Sequence, residues 1–217
     1  MKLRTTLRRF TALFAGLAMF SLTSSQAQTM KEVFSGEAPL FYYGIDFTKA
    51  KLIDDAAANA LDIKERQFAG INDVVVNEPK KYDFAKVFHK SSVNHDLAAV
   101  HKKNSTINAD DIKSTTPGDF SRLKAADIDG IVKGLDVGDK KGTGLVFVME
   151  AMSKSQKEAA IWVTFFDIKT KKVLLTERLL GTAAGFGFRN YWAATIKDVL
   201  TQIDKKKYDE WRSKYGG

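Results

Sequence analysis

The sequence predicts a single α/β domain with a mixed sheet that ends in a three-strand antiparallel meander covered by helices. Three observations lead there. The runs Leu145-Val146-Phe147-Val148-Met149 and Ala160-Ile161-Trp162-Val163-Thr164-Phe165-Phe166 are apolar on both faces, as strands in the middle of a covered sheet are. A Lys169–Lys172 turn leads from the second run into Val173-Leu174-Leu175-Thr176-Glu177-Arg178-Leu179-Leu180, which predicts an antiparallel hairpin. Stripes at helical spacing lie on either side of these runs: Ile128, Ile131, Val132 and Leu135 before them, and Trp192, Ile196, Val199, Leu200 and Ile203 after them.

Taken in order, residues 28–39 read as a flexible leader and 40–217 as the domain. Phe41 to Phe47, aromatic and β-branched, is the first strand. Lys49 to Lys64 reads equally as a helical turn or a long loop. Phe68, Ile71, Val74 and Val75 form a helix that Pro79 ends. A second helical piece, Tyr82 to His89, places Phe84 and Phe88 on one face. Leu97-Ala98-Ala99-Val100-His101 is expected to be a strand, and Thr115 to Asp119 a loop. Gly138 to Gly144 is a turn-rich link, Ser153 to Lys157 a hairpin loop, and the final helix starts near Asn190.

The first 27 residues carry a different signal. Lys2, Arg4, Arg8 and Arg9 precede an apolar run from Thr11 to Leu22, and Ser25-Gln26-Ala27 supplies the small residues of a cleavage site. This pattern is a secretory signal peptide, and its apolar run is shorter than the ~20 residues a membrane anchor needs. Export to the periplasm or the exterior is therefore expected. The sequence has no cysteine, which excludes disulfides, a thiol nucleophile and acylation as a lipoprotein.

Removing the four basic residues of the signal peptide lowers the formal net charge from +8 to +4. That shift weakens the case for nucleic acid, which is not expected as a partner. No later segment is a continuous apolar run of spanning length, so no transmembrane segment is expected after cleavage, while peripheral membrane contact stays open.

No pattern of catalytic or metal-binding residues emerges, and no cofactor is expected. His89, His95 and His101 are spaced by six, roughly 600° of helix per step, so no single helix can converge them on a metal. Asp127-Ile128-Asp129-Gly130 lacks the remaining ligands of a calcium loop, and no Gly-x-Ser-x-Gly elbow is present.

Two candidate binding elements stand out. Gly181-Thr182-Ala183-Ala184-Gly185-Phe186-Gly187-Phe188-Arg189-Asn190 follows a strand and precedes a helix, where free backbone amides and the helix dipole hold anions. Gly185, Gly187, Arg189 and Asn190 are its candidate ligand-binding residues. In the other reading of this loop, Phe186 and Phe188 plug the core while Asn190 caps the helix. The second element is the tail, where Tyr208, Trp211 and Tyr215 share one helical face. It is either packed against the domain or exposed for a partner protein.

Gly144-Leu145-Val146-Phe147-Val148, Trp162-Val163-Thr164-Phe165-Phe166-Asp167 with Thr170 to Leu174, and Gly185 to Trp192 resemble exported bacterial proteins of unknown function. In element order the chain also resembles the α/β domain of the TolB amino terminus and of the curli-secretion channel. Those channel relatives are lipid-anchored, and this chain has no cysteine to anchor. The reading these features support is a non-catalytic exported domain that binds another envelope component, a protein. The alternatives are a small-ligand or anion-binding protein using the 181–190 loop and, last, a hydrolase with a dispersed acid site.

Overall fold

The computed structural model describes residues 29–216, so the signal peptide expected over residues 1–27 lies outside the described residues. The core is a seven-stranded mixed sheet. Its strands are β1 (Leu40–Asp46), β2 (Lys51–Ile53), β3 (Asn94–His95), β4 (Lys113–Ser114), β5 (Thr143–Ser153), β6 (Glu158–Asp167) and β7 (Val173–Thr182). β5 organises the sheet. Along one edge it pairs in parallel with β1 at Leu40↔Thr143 and then with β2 at Leu52↔Met152. Along its other edge it pairs antiparallel with β6, which pairs antiparallel with β7. The antiparallel meander is thus not a separate unit, because its first strand is also the centre of the parallel half. The two-residue strands β3 and β4 lie outside β1 and β2 and run parallel to them.

Helices cover both faces. One layer contains α1 (Met30–Val33), α3 (Phe68–Asn77), α4 (Phe84–Val87), α7 (Phe188–Gln202) and α8 (Tyr208–Tyr215). α3 continues from α2 (Ala60–Asp62) through a π turn at Ile63–Gln67, and a second π turn, Ile203–Lys207, joins α7 to α8. Leu145, Phe147 and Met149 bury against this layer, which contributes Phe68, Ile71, Trp192 and Ile196. The alternate residues Val146 and Val148 face the opposite layer, built from α5 (Ala98–Asn104) and α6 (Ala125–Lys133). The period-two alternation of a strand thus feeds two cores, which is why the strand sequence is apolar at every position.

Several expectations are corrected. The strand expected at Leu97–His101 is helix α5; Asp96 accepts a hydrogen bond from Ala98 N at 3.0 Å and starts the first turn. The leader is not free of the domain. α1 lies within it, Val33 is buried, and Phe34 sets its ring edge-on to Tyr208 at 5.6 Å. The ambiguous stretch from Lys49 contains β2 and the start of the α2–α3 helix.

The end of β1 is finished by side chains. β3 pairs with β1 only at Phe41 and Tyr42, which leaves the outer edge from Ile45 onward without a strand. Asn72 of α3 takes its place: its Oδ1 accepts from Ile45 N at 2.7 Å and its Nδ2 donates to Ile45 O at 3.0 Å. Asn104 of α5 donates to the same carbonyl at 3.0 Å and accepts from Phe47 N at 2.8 Å. Both amides are buried. Gly44 makes room for them. Its φ is +94°, and a Cβ there would lie 2.7 Å from Asn72 Oδ1 and 2.7 Å from Leu97 Cδ2.

Candidate functional site

The 181–190 loop leaves the edge strand β7 and turns into α7. Gly185 and Gly187 have φ of +97° and +73° with open space where a Cβ would sit, so they serve backbone conformation. Gly187 is the residue before the helix and has no side chain to cap it. The first amides of α7 are therefore left without an intrahelical acceptor, at the positive end of a 15-residue helix. Asn190 does not cap α7, since it lies inside the first turn; its Oδ1 accepts from Arg189 Nε at 3.1 Å.

The loop opens on a groove of about 430 Å³, whose far wall is Arg66, Gln67 and Gly70 of the π turn and α3. Arg189 lies close over Gly70: a Cβ on that glycine would sit 3.1 Å from Arg189 Cδ. Arg66 is held by Asp62 one turn earlier, and Gln67 Nε2 donates to Asp62 Oδ2 at 2.9 Å. The Gln67 amide first, then the Arg66 guanidinium, keeps the Asp62 carboxyl below its usual range. On the first turn of α7, Lys154 Nζ stands 4.2 Å from the Tyr191 ring centroid.

Phe186 overturns the core-plug reading. It is 93% exposed at the tip of the loop, whereas Phe188 packs partly buried against the core. An exposed phenylalanine is held out between two left-handed glycines, beside two arginines.

The tail takes the packed alternative. Tyr208 stacks on His89 at 4.0 Å, and Trp211 meets Phe165 edge-on at 6.1 Å while donating to Glu177 Oε2 at 2.5 Å. Both residues are buried, so the partner-binding stripe expected over Tyr208, Trp211 and Tyr215 reduces to Tyr215, which is 37% exposed. The π turn before α8 lies just ahead of this aromatic face and carries Lys207, whose Nζ lies 2.7 Å from Glu177 Oε1.

The buried carboxylates are each held by their own donors. Glu150 accepts from Leu123 N at 2.6 Å, Arg178 Nε at 2.7 Å and Trp162 Nε1 at 3.1 Å. Asp46 accepts from Thr48 N at 2.8 Å and faces Lys103 Nζ at 3.3 Å. Asp167 accepts from Thr170 at 2.6 Å. A saturated Glu150 bridging two strands and a loop reads as a structural tie. Among the described residues, no three histidine or acidic side chains come together as a metal site, and no helix is long and apolar enough to cross a membrane.

Sequence reasoning located Gly185, Gly187, Arg189 and Asn190 but missed Arg66, Gln67 and Gly70. Nothing in their spacing marks them, because they reach the loop only through packing of α3 against α7. The irregular π turn that carries Arg66 and Gln67 has no sequence signature, although such turns recur at functional positions. No family model matches this chain, and neither a curated protein nor a solved structure does so.

Proposed function

We propose that the protein is an exported, non-catalytic binding domain that docks on an acidic component of the cell envelope, a protein, through the groove between α3 and the amino end of α7. The observation that carries this reading is Phe186, an aromatic ring 93% exposed beside Arg66 and Arg189. Exposing a phenylalanine to water forgoes about 1.5–3 kcal/mol of burial, which a partner can recover on contact. Flanking cations favour a partner carrying carboxylates or phosphates.

The test compares the mature chain with Phe186→Ser and Arg189→Glu in cross-linking from envelope extract. Both positions are exposed, so the variants should melt like the wild type. Loss of the same cross-linked band in both supports the reading; an identical band pattern in all three proteins removes this surface. A second reading has its own observation, the uncapped amides of α7, and takes a small anion as ligand. A phosphate-dependent rise in melting temperature that Arg189→Ala abolishes would favour it.

A further inference from the structure

β7 pairs with β6 along one side, and among the described residues no strand lies along the other. The ladder decides which of its groups face outward. Ala183 N donates to Lys157 O at 2.8 Å, so these two residues form a hydrogen-bonded pair. Ala159↔Gly181, Ile161↔Leu179 and Val163↔Glu177 repeat that pairing at every second residue. The backbone groups of the intervening residues, Thr176, Arg178, Leu180 and Thr182, therefore point away from the sheet. α7 takes the last of these: Asp198 Oδ2 accepts from Thr182 N at 2.9 Å, and Gln202 Nε2 donates to Leu180 O at 2.6 Å. Among the described residues nothing pairs with the N–H and C=O of Thr176 and Arg178, or with the N–H of Leu180. The Leu180 side chain beside them is 38% exposed. An unpaired strand edge of this kind is a template for adding another strand.

We propose that a second copy of this chain docks here, β7 on β7, antiparallel across a two-fold axis at Glu177. In that register Thr176 lies opposite Arg178 of the second copy, and Arg178 opposite its Thr176. Each free N–H then meets a free C=O, so the edge is its own complement. An axis at Thr176 would pair that residue alone before the ladder irregularity opposite Phe165 and Phe166, and an axis at Arg178 would set two guanidinium side chains opposite each other. Glu177 does meet Glu177 of the second copy, but each carboxylate is already held by its own Lys207 Nζ, at 2.7 Å, and by Trp211 Nε1. Leu180 comes level with the half-buried Leu174 of the second copy, which covers the exposed leucine. Charge points to the same occupant. From Val173 to Thr182 Glu177 and Arg178 cancel, and Arg178 Nε is paired with Glu150 at 2.7 Å, in a chain of net charge +8. Two cationic copies repel least across a neutral strip.

Sedimentation equilibrium of the mature chain, with amide hydrogen exchange read by NMR, tests this. A monomer–dimer equilibrium is expected, in which the Thr176 and Arg178 amides gain protection as concentration rises. The Glu177 and Leu179 amides, already in the β6 ladder, should not change. Thr176→Pro removes an outward N–H without breaking a ladder bond, so the fold should persist. Its dissociation constant should rise roughly thirtyfold, because the two-fold axis loses that hydrogen bond twice. Leu180→Lys, at an exposed position, should weaken the dimer too and stands in should the proline variant melt early. The chain has no cysteine, so Thr182→Cys carries a single spin label. With the axis at Glu177, two labels should sit ~33 Å apart, about ten residues of strand. A monomer at every concentration up to the millimolar range overturns the proposal. So does a dimer that both variants leave intact, one in which the Thr176 and Arg178 amides still exchange freely, or one whose label distance does not fit that axis. Protection that appears only when an extended peptide is added would assign the edge to another protein, and overturns the second copy as its occupant.

Discussion

The two amides that finish β1 lead to a prediction whose size follows from their hydrogen bonds. Asn72→Ala removes the side-chain acceptor that Ile45 N has among the described residues, yet Ile45 O keeps Asn104 as its donor. One buried N–H is orphaned, at a cost of about 1–3 kcal/mol. Asn104→Ala is the mirror case: Phe47 N loses its acceptor at a similar cost of about 1–3 kcal/mol, and Ile45 O keeps Asn72. The double variant loses both donors to Ile45 O, so a third buried group is orphaned. Its destabilisation should therefore exceed the sum of the singles by about 1–3 kcal/mol. Urea unfolding followed by tryptophan fluorescence measures all four corners of the cycle, provided the slopes agree. A cycle that closes to within about 0.5 kcal/mol would refute the shared-carbonyl account, because it would show that water or backbone movement replaces the lost donors.

Two further outcomes are expected. Trp211→Ala should destabilise by about 3–5 kcal/mol, as removal of a buried aromatic does, and calorimetry would show it; a loss under 1 kcal/mol would return the tail to the role of a detachable partner stripe. In alkaline solution Tyr43 should titrate at about 12, raised first by burial and then by the negative charge of Asp96, while its hydroxyl donates to Val137 O at 3.2 Å. Since the folded form keeps a proton that the unfolded chain releases near pH 10, stability is intact below that value and falls between about 10 and 12. Tyr43→Phe should flatten the alkaline fall of stability by about one proton, and an unchanged slope would count against that environment.

Much of the framework was legible because it obeys simple periods. β5, β6 and β7 showed as apolar runs of strand length, and α3, α6 and α7 as stripes of period 3.6. α5 was misread because Leu97-Ala98-Ala99-Val100 is too short for periodicity to separate helix from strand. Asp96, whose carboxylate holds Ala98 N, was the available clue. β2, β3 and β4 are two or three residues long and exist only because longer neighbours offer them an edge. At the candidate site, the glycines announced a turn, but the direction of Phe186 is set by φ angles at Gly185 and Gly187 that composition does not encode. The tail stripe was visible as a pattern, whereas its burial depended on Phe165, Glu177 and His89, three distant partners.

The place of β5 has a consequence for how the chain is made. Synthesis runs from the amino terminus, so Leu40 and Leu52 are complete long before Thr143 and Met152, the residues they pair with. Until β5 emerges, β1 and β2 have only the two-residue strands β3 and β4 to pair with, too little to hold a sheet. Productive collapse must wait for contacts of long sequence separation, which slows folding. The nascent polypeptide thus stays open through most of its translation, the state in which a chain can still be threaded through a narrow channel before it closes on itself.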